Sequence, residues 1–224
     1  MSEDTNVPAV TGQMLPNAVG QKVPDDIKEE AGEVFVSLRL MAGLSEAVMA
    51  NNAPQGVWAV VNGEECIANL GKEVVIIPVA YTRKALDVSD KENVKVSYDA
   101  NSDVYKDIAN RVPDDTQHIF TGVEYLFYID GYGFAPYYCA SKSAKIAAQN
   151  ALGSSINHVI ILGVKLVKKQ HTYFVPRVIK DGTPVINLPT EESVEKAITA
   201  WKISLASSEA RANASGASEG SEER

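Results

Sequence analysis

Eleven consecutive residues, Ile119 to Ile129 (IFTGVEYLFYI), are almost all aromatic or aliphatic, and this run constrains the fold more than any other stretch. A segment of that length and composition predicts a strand paired on both sides in a sheet or barrel wall. A second run, Val74 to Tyr81 within Lys72–Val88, is apolar on both faces, and its Pro78 cannot donate to a ladder, so it requires an edge or a bulge. Alternation at Val34, Val36, Leu38 and Leu40 predicts a half-buried strand with Arg39 pointing away from the core. Gly56–Val61 reads as a further strand, closed by the Asn62-Gly63 turn pair. Short elements follow at Val94–Tyr98 (strand) and Asp103–Asn110 (helical turn), then the Asp130–Gly133 turn and a return strand from Phe134 to Tyr138. His158–Lys169 and His171–Ile179 form a strand pair, the second containing Pro176, again an edge or bulge signal.

Three helical segments complete the pattern. Met41–Ala50 reads as a short helix or turn. Ser141–Leu152 has a small-residue face and is stopped by Gly153. The last starts after Thr190, a suitable cap, with Glu191 and Glu192 in the first turn and an apolar stripe of Val194, Ala197, Ile198, Trp201 and Leu205. A helix between the principal strands of a small sheet matches an OB-fold-like, partly closed β-barrel with a C-terminal helix, a mainly β fold. The alternative is a β-sandwich of jelly-roll or immunoglobulin-like kind.

The 224 residues divide into a flexible acidic arm over 1–32, one β-rich domain over 33–206, and a disordered Ser-, Ala-, Gly- and Glu-rich tail over 207–224. The arm holds six acids against Lys22 and Lys28. No stretch approaches the roughly 18 apolar residues of a membrane span, and the first residues are acidic and polar where a secretory signal is basic and then apolar. No membrane partner is therefore expected, and the expected location is cytoplasmic, the host cytoplasm if the protein is viral. Cys66 and Cys139 lie in no CxxC pattern and are expected as reduced, buried thiols.

The net charge is −8, yet Gly131–Lys180 holds seven cations and no acid. A local basic patch is thus the only place where this acidic chain could hold nucleic acid. Lys165, Lys168, Lys169 and Arg177, with Arg83 and Lys84 from the earlier Tyr81–Lys84 group, are candidate phosphate contacts; Lys142 and His171 belong to the same stretch. Tyr81, Tyr132, Phe134, Tyr137, Tyr173 and Phe174 are candidate stacking platforms for bases. The competing account is that these are solvated and half-buried faces of an ordinary β domain. Whether Lys165 shares a face with Tyr173 and Arg177 depends on hairpin register, because one residue of slip exchanges the faces.

Enzyme signatures are thin: there is no GxxxxGK[ST], GxGxxG or HExxH, and His118, His158 and His171 are scattered. The piece Asp99–Asp103 resembles the start of a calcium loop, but Val104 stands where glycine is needed and Asn110 where a bidentate glutamate is expected. No metal, cofactor or catalytic residue is expected.

Phe35–Glu46 (FVSLRLMAGLSE), Gly71–Lys84 (GKEVVIIPVAYTRK) and Ser141–Lys145 (SKSAK) together resemble a family of small tailed-phage proteins associated with OB-fold single-stranded DNA binding, over about Val34–Trp201. The resemblance implies a non-enzymatic, phage-encoded protein that protects single-stranded DNA during replication or recombination, with replication proteins as partners and room for a homo-oligomer. Many such proteins end in a dense acidic tip closed by an aromatic residue; Ala217–Arg224 is mildly acidic and has none, which puts recruitment through the tail in doubt. The rival expectation is a virion structural or assembly protein without nucleic-acid recognition.

Overall fold

The computed structural model describes residues 36–41, 55–62, 65–115, 117–140, 152–153, 155–168, 172–179, 184 and 186–215. A three-stranded antiparallel sheet is built from β1 (Ser37–Leu40), β2 (Trp58–Asn62) and β3 (Glu65–Gly71), in that spatial order. The chain then enters β4 (Glu73–Asp87), β5 (Lys95–Ser97), helix α1 (Asp103–Arg111), β6 (Ile119–Ile129), β7 (Gly133–Ala140), β8 (Ile160–Lys168), β9 (Thr172–Ile179) and helix α2 (Glu191–Ser215). These strands form a second antiparallel sheet in the order β7-β6-β4-β8-β9, with β5 also on β4. The fold is mainly β with two helices among the described residues. The larger sheet does not close on itself: β7 and β9 are its edges, and β1 lies beside both, leaving a partly closed wall. The helices proposed at 41–50 and 141–152 fall almost wholly outside the described residues.

β4 is apolar on both faces because it is covered on both. Val74 and Ile76 join Leu38, Trp58, Val60, Tyr125, Phe127, Tyr137 and Leu162 in the core beneath the three-stranded sheet. Ile77 and Val79 join Leu126, Val159, Ile198 and Trp201 in a second core beneath α2. The three prolines in the larger sheet avoid its interior ladders. Register slips between Pro78 and Ala80, a bulge that absorbs the missing donor, while Pro136 and Pro176 lie on the edge strands β7 and β9. Cys139 is buried as expected, Cys66 is only half-buried, and neither is in a disulfide among the described residues.

α1 starts at Ser102, whose hydroxyl accepts the Tyr105 amide at 3.1 Å, and buries Ile108 against Ala85 and Ile119. Its last residue, Arg111, pairs with Asp87 at the end of β4. The Asp87 carboxylate also accepts the Ser89 amide at 2.9 Å and the Ser89 hydroxyl at 2.5 Å. Burial alone would raise its pKa, but the Ser89 hydrogen bonds, with the Arg111 and Lys95 charges behind them, outweigh burial and hold it below the ordinary range. A depressed folded-state pKa contributes stability that is present above the unfolded value of about 4 and is lost as pH falls through the folded value. Asp87→Asn should therefore cost about 2 kcal/mol at neutral pH. In denaturant titrations its deficit against wild type should shrink as pH falls through the lowered folded-state value; a deficit that stays constant on acidification would sink this account.

α2 follows the expected stripe, with Thr190 Oγ1 accepting the Ser193 amide at 3.3 Å. It departs from expectation at its far end, running helical through Ser215 where composition assigned a tail from Ser207. The physical reason is an anchor: Glu209 accepts the Ser97 hydroxyl at 2.7 Å, which ties the distal turns to β5.

Candidate nucleic-acid interface

The β8–β9 hairpin pairs Gly163 with Arg177, Lys165 with Val175, Val167 with Tyr173 and Lys168 with Thr172. Residues paired across antiparallel strands share a face, so Lys165, Tyr173 and Arg177 lie on one side together. That side continues through Ile161 to Val75, which packs in the core under α2. The opposite side carries Leu162, Val164 and Val178 toward the three-stranded sheet. Register, undetermined by alternation alone, thus unites three of the expected contacts.

β4 begins at Glu73, opposite Gly163, whereas β8 runs on to Lys168. Beyond Gly163 the hairpin is accordingly a two-stranded ribbon with no strand on the outer side of β8 among the described residues. Lys165, Lys168 and Arg177 are exposed, and none is paired with an acid among the described residues. A Cβ on Gly163 would meet Arg177 Nε at 3.4 Å and Ile179 Cδ1 at 2.6 Å, so the absence of a side chain there lets the arginine lie across the strand. Tyr173 is half-buried, and its pair Val167 widens the platform beneath it. Val167 escaped the sequence reading because it has neither charge nor ring; only the register shows its place.

Phe174 belongs to the other side, with its ring directly over Gly56, where an added Cβ would fall 2.4 Å from Cε1. It is half-buried and braces the ribbon against the segment entering β2. Lys169, His171 and Lys142 fall outside the described residues.

The remaining candidates are not part of this ribbon. Tyr81 is 41% exposed, its ring 6.2 Å from that of Tyr125, and Arg83 is exposed two residues further along the same face. Both lie at the far end of β4. Arg83 stands ten residues past Glu73 and Lys165 two residues the other way, which separates them by roughly 40 Å along the strands. The neighbourhood of Arg83 includes Tyr105 of α1, whose helix carries exposed Asp103 and Asp107 and leads to Asp114 and Asp115. That end of the molecule is acidic and suits phosphate poorly.

Lys84 is corrected from a phosphate contact to an internal cation. Its ammonium is 2.5 Å from Glu124 Oε2 and lies over the rings of Tyr98 and Tyr138, at 5.4 and 4.9 Å from their centroids. Tyr137 is likewise corrected from a platform to a core residue: it is 5% exposed, edge-on to Trp58 and stacked on Phe127, and burial pushes its hydroxyl well above the ordinary tyrosine range. Phe134 is half-buried against Tyr128 and the α2 core. Tyr132, 48% exposed in the β6–β7 turn, stands at the same end of the sheet as Glu73 and Gly163 and can extend the surface toward β6.

Among the described residues no three His, Cys, Asp or Glu side chains are grouped to hold a metal ion, and no helix is long and apolar enough to cross a membrane. Comparison with protein-family models, with curated proteins and with solved structures finds no match to this chain.

Proposed function

We propose that the protein is a non-enzymatic single-stranded DNA-binding protein, phage-encoded and protective in replication or recombination, that uses the β8–β9 ribbon as its contact surface. The observation supporting this reading is the common face of Lys165, Tyr173 and Arg177 on a ribbon that extends past the sheet without a neutralising acid among the described residues. Two cations in line with an aromatic ring at their outer end fit a backbone with an unstacked base, since phosphates need charge and every base offers a π face. Lys168, paired with Thr172, belongs to the opposite side of the ribbon and is not part of this surface.

Fluorescence anisotropy with labelled single- and double-stranded oligonucleotides at two salt concentrations tests the reading. The expected result is preference for single strands, with affinity falling as salt rises at a log–log slope of about −0.7 per phosphate contacted. Tyr173→Ala should weaken binding by roughly 1 to 3 kcal/mol. Lys165→Glu with Arg177→Glu should remove most of the salt dependence. Absence of binding at low salt, or affinity unchanged by all three substitutions, would overturn it.

A further inference from the structure

We propose that Glu73 limits the ribbon's hold on nucleic acid: its carboxylate competes with backbone phosphate for Arg177, an inference that rests on the single-strand reading above. Three strands of the larger sheet pass from core to solvent at one row. On β4, Val75 packs under α2, while Glu73, two residues earlier on the same face, is exposed. On β8 that row holds Gly163, the partner of Glu73, and on β9 it holds Arg177, the partner of Gly163. Residues paired in this way share a face, so an acid and a cation flank a position that has no side chain.

Opposed Cα atoms in an antiparallel pair lie about 4.5 to 5.5 Å apart, which sets Glu73 and Arg177 about 10 Å from each other across the middle strand. The arginine spans part of that gap. Its Nε lies 3.4 Å from the place of a Cβ on Gly163, so the guanidinium is carried over β8 toward β4. Neither Glu73 nor Arg177 has an ion-pair partner among the described residues. The carboxylate is thus near enough for its field to act on the guanidinium without holding it in a fixed pair. A phosphate arriving at Arg177 meets that carboxylate on its β4 side, whereas one arriving at Lys165, two residues further out along β8, is removed from it. The strand is accordingly held more firmly at Lys165 than at Arg177.

The test uses the full chain and a labelled single-stranded oligonucleotide, read by fluorescence anisotropy at low and moderate salt. Glu73→Gln removes the charge and keeps the shape, and it should tighten binding about fivefold at low salt and by less as salt rises. In an Arg177→Gln background the same substitution should change affinity by less than about twofold, because the group competed for is gone. Glu73→Lys puts a cation in place of the competitor and should steepen the log–log salt dependence by about 0.7, the equivalent of one more phosphate contact. Glu92→Gln, an exposed acid beyond the far end of β4, controls for net charge and should leave affinity within about twofold of wild type. Position 73 is exposed, and circular dichroism checks that both of its variants keep the fold; if one does not, the other decides. Unchanged or weakened binding by the folded variants at 73, a gain equally large without Arg177, or an equal gain from Glu92→Gln would each overturn the proposal and leave the single-strand reading standing. A wild-type chain that binds no oligonucleotide at low salt overturns that reading, and this proposal with it.

Discussion

Gly122→Ala is expected to lower the stability of the fold by about 3 kcal/mol or more, a large loss for the addition of a single methyl group. An added Cβ would stand 2.3 Å from the carbonyl oxygen of Cys139 and 2.8 Å from the Cα of Ala140, the residue paired with Gly122 on β7. Both obstacles are backbone, so no rotamer change relieves them. The strand must move instead, and β7 carries Tyr137 and Cys139 into the main core against Trp58 and Phe127. Two other glycines calibrate the effect. At Gly163 the nearest atom is the tip of Ile179, which can swing away, so alanine there should cost much less. At Gly131 nothing among the described residues lies within 4 Å but φ is +77°, so alanine should cost only the left-handed backbone penalty of about 1 kcal/mol. Urea denaturation of the three variants reads the order directly. If Gly122→Ala is no worse than Gly131→Ala, β7 is not held as closely as the geometry requires.

Gly122 also marks what sequence patterning can and cannot convey. The run from Ile119 to Ile129 announces a strand paired on both sides, and β6 is that strand, flanked by β4 and β7. The long β4, the stripe of α2 and the placement of prolines at a bulge and on edges were all legible, because each follows from local periodicity or from a missing donor. β3 was not, since ECIANLG has a single β-branched residue and takes its strand geometry from pairing with β2. Register was illegible in principle. A two-residue period states which residues of one strand share a face and leaves the partner strand free to slide. Lys165, Tyr173 and Arg177 therefore became neighbours only with the hairpin in view, and Tyr81 and Arg83 became remote from them for the same reason. One error could have been avoided. Arg83 and Lys84 are consecutive in a strand and must point to opposite faces, so they could never serve one patch together.

The face that Lys84 does occupy leads to the second large effect. Glu124 is buried, with its Oε2 on Lys84 Nζ and its Oε1 3.4 Å from the indole nitrogen of Trp201, so the pair lies at the junction of β4, β6 and α2. Side-chain exposures of 17% for Lys84 and 8% for Glu124 leave little water to replace a lost partner. Removing one charge should then cost about 3 to 5 kcal/mol, because the other remains desolvated and unpaired. Glu124→Leu and Lys84→Met are each expected in that range by denaturant unfolding. The double variant should recover most of the loss, since an apolar pair of similar volume has no charge to desolvate. Lys84 also rests between two tyrosine rings, and a methionine in its place keeps that aliphatic contact while giving up the cation–π attraction. Tyr138→Phe is the control: its hydroxyl is buried without a hydrogen-bond partner among the described residues, so its removal should be neutral or slightly stabilising while the ring stays under the ammonium. Additive losses in the double variant would mean that the two charges act independently. A strong positive coupling, with single-strand binding unchanged throughout, would place Lys84 in the machinery that docks α2 and outside the contact surface.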